Sequence, residues 1–172
     1  MNDLPARGRC AAADVQYHDD ATATGALVVC SGPSFAELVE ERRLEVPEVA
    51  PYVPGAFYLR ELPVLAALLE QVEPVDLLVV DGYVDLDAAG SPGLGAHAHA
   101  RFRVPVVGVA KTAFHGATHA VPVVRGSARR PLYVTAAGLP LDDAAALVQA
   151  MAGTFRLPDA LRRVDALARG RT

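Results

Sequence analysis

The chain has 172 residues, which is the length of one domain, and a chain of this size can bury a sizeable core without disulfides or structural metals. Hydrophobic residues make up 52% and charged residues 21%, which excludes a disordered chain, and 14 glycines and 13 prolines without a short period exclude a collagen-like sequence. The net charge of −4 is unevenly distributed, because residues 1–100 are strongly acidic and residues 101–172 are basic.

The sequence indicates a cytoplasmic protein. Cys10 and Cys30 lack neighbouring cysteines or histidines at metal-binding spacing, so we predict neither a disulfide framework nor a zinc finger. The first residues lack a basic segment followed by an apolar run, and no apolar stretch reaches the roughly 18 residues of a membrane span. We therefore expect neither export nor a membrane partner.

The chain begins with predicted strands. Residues 11–17 and 23–30 are short apolar runs separated by a polar turn, and they predict an antiparallel hairpin. Residues 35–46 fit either a helix or a third strand, and their periodicity does not decide between the two.

A loop, a helix and a buried strand follow. Residues 51–55 contain two prolines and a glycine and must form a turn or loop. Leucines at helical spacing predict a helix over 61–72, with Pro63 in its first turn. Residues 75–80 are almost continuously apolar and end at Asp81, as expected of a strand that is buried on both faces.

The second half of the chain predicts a parallel crossover. A short helix over 94–102 leads into a buried strand over 104–110, and the order strand, helix, strand places the two strands parallel in one sheet. The remaining predicted elements are strands at 120–124 and 132–135, an amphipathic helix at 141–151 and a basic helix within 155–172. We therefore predict one α/β domain over residues 1–172.

Three carboxylates stand at unusual places in this pattern. Asp14 interrupts an apolar strand, Asp81 follows the most apolar strand, and Glu61 opens the helix before it. Such carboxylates cost desolvation energy unless a partner offsets it, and a divalent cation is a common partner. Mg²⁺ or Mn²⁺ bound by oxygen ligands can direct the attack of water on a phosphodiester. The alternative is that these carboxylates are only solvated strand ends.

Five blocks occur in a fixed order along the chain. They are Asp14-Val15-x-Tyr17, Pro51-Tyr52-Val53-Pro54-Gly55 with Arg60-Glu61, Val80-Asp81-Gly82, Gly93-Leu94-x-Ala96-His97, and Val107-Gly108-Val109-Ala110-Lys111. Their order and spacing resemble the endonuclease V family over about residues 8–150. The two-proline turn followed by an arginine and an acid is the most specific of the blocks.

The resemblance implies a ribonuclease H-like α/β fold, in which a mixed sheet has three antiparallel strands and then parallel strands, flanked by helices. It implies a metal-dependent endonuclease that hydrolyses the second phosphodiester 3′ to inosine in DNA or RNA, in DNA repair or RNA processing. Mg²⁺ is the implied cofactor, with Mn²⁺ as a substitute, and a monomer is the implied state. The resemblance also favours a strand for residues 35–46.

The resemblance assigns the catalytic residues. Asp14, Glu61 and Asp81 correspond to the family's catalytic and metal-binding carboxylates. Lys111 corresponds to its active-site lysine, which neutralises charge on the scissile phosphate.

It also assigns a loop that contacts nucleic acid. Tyr52, bracketed by Pro51 and Pro54, lies in the loop that the family inserts between strands, and a rigid aromatic ring can fill the space left by an extruded base. Gly55 and Gly82 permit close approach of the backbone to that base. Ordinary turn packing is the alternative for Tyr52.

Two family histidines are absent, because Asp87 and Ala137 occupy their positions. The loss raises the alternative of a catalytically weakened nucleic-acid-binding homologue, which would bind inosine without cutting. A third possibility is an interaction protein of the same shape, which would not depend on inosine at all.

Basic and imidazole side chains give weaker signals. The predicted phosphate contacts, whose alternative is a solvated surface, are Arg125, Arg129, Arg130, Arg162 and Arg163. His115 and His119 have helical metal-binding spacing, but the glycine between them disfavours a helix, so we predict no separate zinc site there.

Overall fold

The computed structural model describes residues 7–54, 56 and 58–171. The strands are β1 (Arg9–Tyr17), β2 (Ala23–Ser31), β3 (Leu38–Val46), β4 (Leu77–Asp81), β5 (Val106–Ala110), β6 (Val121–Val123) and β7 (Leu132–Ala137). The helices are α1 (Tyr58–Leu69), α2 (Leu94–Phe102), α3 (Leu141–Ala150) and α4 (Asp159–Ala168). None of the helices in these residues is long and apolar enough to cross a bilayer.

All seven strands form one mixed sheet in the order β3-β2-β1-β4-β5-β7-β6. The first three strands are antiparallel neighbours, β1 then pairs parallel with β4 and β4 with β5, and β7 runs antiparallel to both β5 and β6. The predicted hairpin, third strand and parallel crossover are therefore confirmed. The predicted ribonuclease H-like class is confirmed as well, with an antiparallel pair added at the β6 edge.

Helices cover both faces of the sheet, and alternate side chains of β1 pack into the cores on the two faces. Ala11 and Ala13 belong to the core beneath α1 and α2, whereas Cys10 and Ala12 belong to the core beneath α3 and α4. These small side chains sit on the central strand, so both layers of helices can approach the sheet closely.

The predicted helix over 61–72 differs from α1 at both ends. It begins at Tyr58, so Pro63 lies in the second turn rather than the first. Pro63 has no N–H to donate to the carbonyl of Leu59. Leu59 is 47% exposed, so water can reach that end of the helix and satisfy the carbonyl. The helix ends at Leu69, where tighter turns replace the predicted last residues.

Candidate active site

Two aspartates lie side by side where parallel strands end. The parallel pairing of β1 and β4 runs to Ala13 opposite Val80, and the next residues along these strands are Asp14 and Asp81. Asp81 in turn pairs with Val109 on β5, two residues before Lys111. Side chains alternate along a strand, so these positions share the face covered by α3 and α4.

A small cavity joins these side chains to helix α4. Its polar lining consists of Asp14, Asp81, Lys111 and Asp165, and its volume of about 20 Å³ holds roughly one water-sized group. Lys111 Nζ lies 3.7 Å from Asp81 Oδ2 and 4.0 Å from Asp165 Oδ1. The cavity therefore brings together three carboxylates, from β1, β4 and α4, and one ammonium group from the residue that follows β5.

Glu61 approaches the same place from the helical layer on the other face of the sheet. It lies in the first turn of α1 and is only 7% exposed. Helix α1 packs directly on β2 because Gly25 has no side chain: a Cβ there would lie 2.5 Å from Val64 Cγ1. The close packing of α1 thus determines where the Glu61 carboxyl group lies.

The carboxylates raise one another's pKa. Burial raises the pKa of Asp14 to about 7, with Asp81 adding to the shift and Lys111 opposing it. Burial also raises the pKa of Glu61 well above its usual range, and Asp14 and Asp81 contribute. The pKa of Asp81 is raised by burial and by Asp165, and lowered by Lys111. One lysine therefore does not compensate the negative charge that these groups carry when ionised.

The donor set fits a hard divalent cation, because carboxylate oxygens are the ligands that Mg²⁺ prefers and a cation would relieve their mutual repulsion. Among the described residues, however, no three acidic, histidine or cysteine side chains are already arranged as metal ligands. Asp14, Asp81 and Asp165 line one cavity without closing into a preformed coordination sphere, and Glu61 lies outside that lining.

The loop after Asp81 is held by buried contacts. Gly82 has φ of +117°, a conformation that side chains rarely allow, and its N–H donates to Val109 O at 3.0 Å. Val84 N donates to the buried Thr135 Oγ1 at 2.8 Å. A Cβ on Gly108 would lie 2.6 Å from Gly82 O, so glycine at both positions lets this loop pass over β5.

An arginine holds the backbone of Lys111. Arg156 Nη2 donates to Lys111 O at 2.5 Å and to Pro131 O at 2.9 Å, while its Nε donates to Arg130 O at 3.1 Å. The segment that carries Lys111 is thereby tied to the loop before β7.

The predicted wedge residue is exposed. Tyr52 is 61% exposed, and Pro51 and Pro54 are exposed with it, whereas Gly55 lies outside the described residues. The Arg60 guanidinium carbon lies 4.1 Å from the centre of the Tyr17 ring and 5.9 Å from that of Tyr52. The arginine beside Glu61 therefore links the loop to the end of β1.

Sequence reasoning missed Asp165. The last helix was predicted only as a basic helix, yet Asp165 lines the carboxylate cavity, and Arg169 Nε bonds to both of its carboxylate oxygens at 3.1 Å. A signal was present in the sequence: Leu161, Val164 and Ala168 form the buried stripe of α4, and Asp165 directly adjoins it.

The residues at the two missing histidine positions serve local structure. Asp87 Oδ1 accepts hydrogen bonds from the backbone of Ala89 and Ser91, and its Oδ2 accepts one from Ser91 Oγ, so the carboxylate shapes its own loop. Ala137 ends β7. His115 to His119 form turns rather than a helix, in agreement with the prediction.

One of the predicted phosphate contacts, Arg125, is wrong, and another, Arg163, is engaged in an ion pair. Arg125 is 3% exposed, and its guanidinium donates to backbone carbonyls between Met151 and Arg156. Arg163 forms a two-point ion pair with Glu41 on β3, at 2.6 and 2.8 Å. Both arginines hold the fold together, and the sequence could not show this because their partners lie far along the chain.

Comparison with known proteins shows which family the chain belongs to. The sequence model of the family described as endonuclease V matches residues 2–138. The chain belongs to the endonuclease V family. It is therefore a nuclease, a hydrolase that binds nucleic acid and depends on a metal ion.

Individual relatives show the same relationship. Endonuclease V from Thermococcus kodakarensis is 36% identical over 164 residues, covering 94% of this chain and 78% of that protein. Endonuclease V from Streptomyces avermitilis is 30% identical over 190 residues, covering 96% of this chain and 81% of that protein. A crystal structure of Ciona intestinalis endonuclease V, in complex with DNA containing an inosine, has a TM-score of 0.83 at 17% identity, covering 98% of this chain and 87% of that one.

Proposed function

We propose that this protein is a Mg²⁺-dependent endonuclease that acts on inosine-containing DNA or RNA and hydrolyses the second phosphodiester 3′ to the inosine. The observation that carries the proposal is the cavity shared by Asp14, Asp81 and Lys111, with Glu61 beside it. Family membership supports the reaction class, and the Ciona complex supports inosine as the recognised base.

In this proposal the metal is held by Asp14, Glu61 and Asp81. Asp165 adds a further carboxylate to the cavity. Bound Mg²⁺, which Mn²⁺ can replace, supplies Lewis-acid stabilisation of charge at the scissile phosphate. The Lys111 ammonium group adds fixed positive charge beside that phosphate. The surrounding protein disfavours ionised carboxylates, but carboxylates that bind a metal ion must be deprotonated. Metal affinity therefore rises with pH.

The loop around Tyr52 handles the base. Its exposed ring, bracketed by Pro51 and Pro54, is placed to fill the space that an extruded inosine leaves, while Gly55 and Gly82 allow the backbone to approach that base. These roles are part of the proposal, as are one domain over residues 1–172, a monomeric state and a cytoplasmic location.

The test uses end-labelled single-stranded DNA and RNA that contain one inosine or, in its place, adenosine. We expect wild-type protein with Mg²⁺ to cut the inosine strands at one position, leaving 3′-hydroxyl and 5′-phosphate ends. Asp81→Asn should be inactive, whereas Asp142→Asn, the same change in an exposed position of α3, should retain activity. Equal cleavage by wild-type protein and Asp81→Asn would refute the proposal.

One observation favours a second candidate, a homologue that binds inosine but has weakened catalysis. Asp87 occupies a family histidine position and is engaged within its own loop, so it does not replace that histidine in the cavity. Inosine-dependent binding without cleavage dependent on Asp81 would support this candidate. If inosine affected neither binding nor cleavage, the protein would be an interaction protein instead.

A further inference from the structure

Phe155 is an exposed aromatic ring on a fixed backbone. The residue is 58% exposed, yet its carbonyl accepts a hydrogen bond from Arg125 Nη1 at 2.8 Å. Arg125 also donates to Met151 O at 2.5 Å and to Gly153 O at 3.1 Å, so it pins the whole segment before α4. A ring held in this way loses little conformational entropy when a ligand stacks on it.

Arg162, one turn into α4, lies against that ring. Its guanidinium carbon is 4.3 Å from the centre of the Phe155 ring, within the range of a cation–π contact. Its Nη1 lies 4.0 Å from Asp159 Oδ1, and both side chains are at least half exposed. An exposed pair of this kind is weak, so the guanidinium can also pair with a phosphate.

These residues line an open cavity of about 450 Å³ that adjoins the catalytic cavity. Its lining includes Ser127, Thr154, Phe155, Arg156, Leu157 and Arg162. Leu157 lines both cavities, and Arg156 donates to the carbonyl of Lys111. The two cavities are therefore neighbouring parts of one surface.

The cavity lies on the opposite side of the carboxylates from Tyr52. Asp14 and Asp81 lie on the neighbouring strands β1 and β4. Tyr52 lies near the end of β1, because Arg60 contacts both Tyr52 and Tyr17, the last residue of β1. Phe155 lies on the other side, because the adjacent Arg156 donates to Lys111 O, after β5, and to Pro131 O, before β7. An exposed aromatic ring with an adjacent arginine thus flanks the catalytic cavity on each side.

We propose that Phe155 and Arg162 form a stacking subsite for one unpaired nucleotide of the substrate strand, flanking the cleaved phosphodiester on the side away from Tyr52. The base stacks on the Phe155 ring, and a backbone phosphate pairs with the Arg162 guanidinium. The inference rests on the proposed function in taking nucleic acid as the substrate. The continuity with the catalytic cavity and the cationic lining favour a nucleotide over an uncharged ligand.

The first test is a binding cycle on the metal-free full-length protein, in EDTA, so that no cleavage occurs. Labelled single strands without inosine carry one abasic nucleotide at each position in turn, and affinity is read by fluorescence anisotropy. Stacking of one base on an aromatic ring corresponds to a change of roughly 5- to 150-fold in affinity. At one position, abasic substitution should weaken binding to wild-type protein by such a factor and have no effect on Phe155→Ala. Phe155→Trp, which keeps a stacking surface, should restore the dependence.

The second test measures the phosphate contact through salt. Arg162→Ala should weaken binding and reduce the slope of log affinity against log salt by about one. Arg101→Ala is the matched control: Arg101 also lies over an aromatic ring, at 5.8 Å from Phe102, but on α2, which covers the opposite face of the sheet. It should leave the abasic profile and the affinity nearly unchanged.

The inference is overturned if Phe155→Ala and wild-type protein show the same abasic profile, or if Arg101→Ala changes the salt slope as much as Arg162→Ala does. Because these strands contain no inosine and are not cut, these results do not depend on the inosine specificity of the reaction. Failure of the proposed function would instead appear as cleavage that does not depend on inosine, or as the absence of any cleavage.

Discussion

Lys111 Nζ lies 3.7 Å from Asp81 Oδ2, at the ends of the neighbouring parallel strands β5 and β4. The ammonium group lowers the pKa of Asp81 and also that of Asp14, against the burial that raises both. The lysine therefore favours the ionised form of both aspartates before any substrate binds.

Replacing Lys111 by methionine should change both the rate and its pH dependence. Without the ammonium group, the pKa of Asp14 rises further above about 7, so the acidic limb of the pH–rate profile should move to higher pH. The lost charge at the phosphate should lower kcat by about 100-fold. Lys111→Arg keeps the charge and should keep the acidic limb near that of wild-type protein. An unshifted limb in Lys111→Met would contradict this assignment.

Asp14→Asn should stabilise the metal-free protein above neutral pH. The pKa of Asp14 is raised to about 7 from 3.8, so the folded state holds a proton that the unfolded state loses, and stability falls as pH rises between these values. Removing the charge should therefore raise stability at pH 8 by about 2 kcal/mol, or roughly 4–8 °C in Tm, and change little below pH 4.

Thermal unfolding in EDTA measures this effect, and Glu73→Gln, at an exposed site in the loop before β4, is the control. Added Mg²⁺ should then raise the Tm of wild-type protein more than that of Asp14→Asn, because a ligand that binds only the folded state stabilises it. If Asp14→Asn were destabilising at pH 8, the carboxylate would have to be favourably paired, contrary to the observed environment.

Most of the fold follows from local pattern, because apolar runs and helical leucine spacing record which faces are buried. Residues 35–46 show the limit: β3 is an edge strand with mixed polar and apolar side chains, so periodicity alone could not separate strand from helix. Its pairing with β2, the strand that precedes it in the chain, decides the matter.

The candidate site residues that lie at strand ends could be predicted from the sequence. Asp14 and Asp81 are acids within or after apolar strands, which local sequence reveals. Asp165 and Arg125 depend on how α4 and the preceding loop lie against the sheet. No local signal distinguishes an arginine that binds phosphate from one that binds buried carbonyls, which is why the prediction for Arg125 was wrong.

Arg125→Met should destabilise the fold strongly. The substitution keeps much of the buried aliphatic volume but removes the donors to the carbonyls of Met151, Gly153 and Phe155. Buried acceptors left without partners should cost about 3 kcal/mol in total. Urea unfolding measures the loss, and Arg129→Ala, at an exposed position, should stay within about 0.5 kcal/mol of wild type. Equal stability of the two variants would mean that the Arg125 contacts do not hold the loop.

Gly25→Ala should impair stability and activity together, and Val64→Ala should rescue both. A Cβ at position 25 would lie 2.5 Å from Val64 Cγ1 and 3.1 Å from Leu68 Cδ1, so α1 must shift away from β2. Overpacking of this kind typically costs about 1–3 kcal/mol. Because Glu61 lies one turn before Val64 on α1, the same shift moves its carboxyl group relative to Asp14 and lowers kcat.

The double variant Gly25→Ala/Val64→Ala removes the colliding methyl group, so its stability and kcat should both exceed those of Gly25→Ala alone. Urea unfolding and single-turnover cleavage of an inosine strand give the two readouts, and Val64→Ala alone measures the cost of the lost packing. Additive losses in the double variant would show that contact between position 25 and Val64 does not set the place of α1. A recovery of stability without recovery of kcat would show that Glu61 is not positioned through this contact.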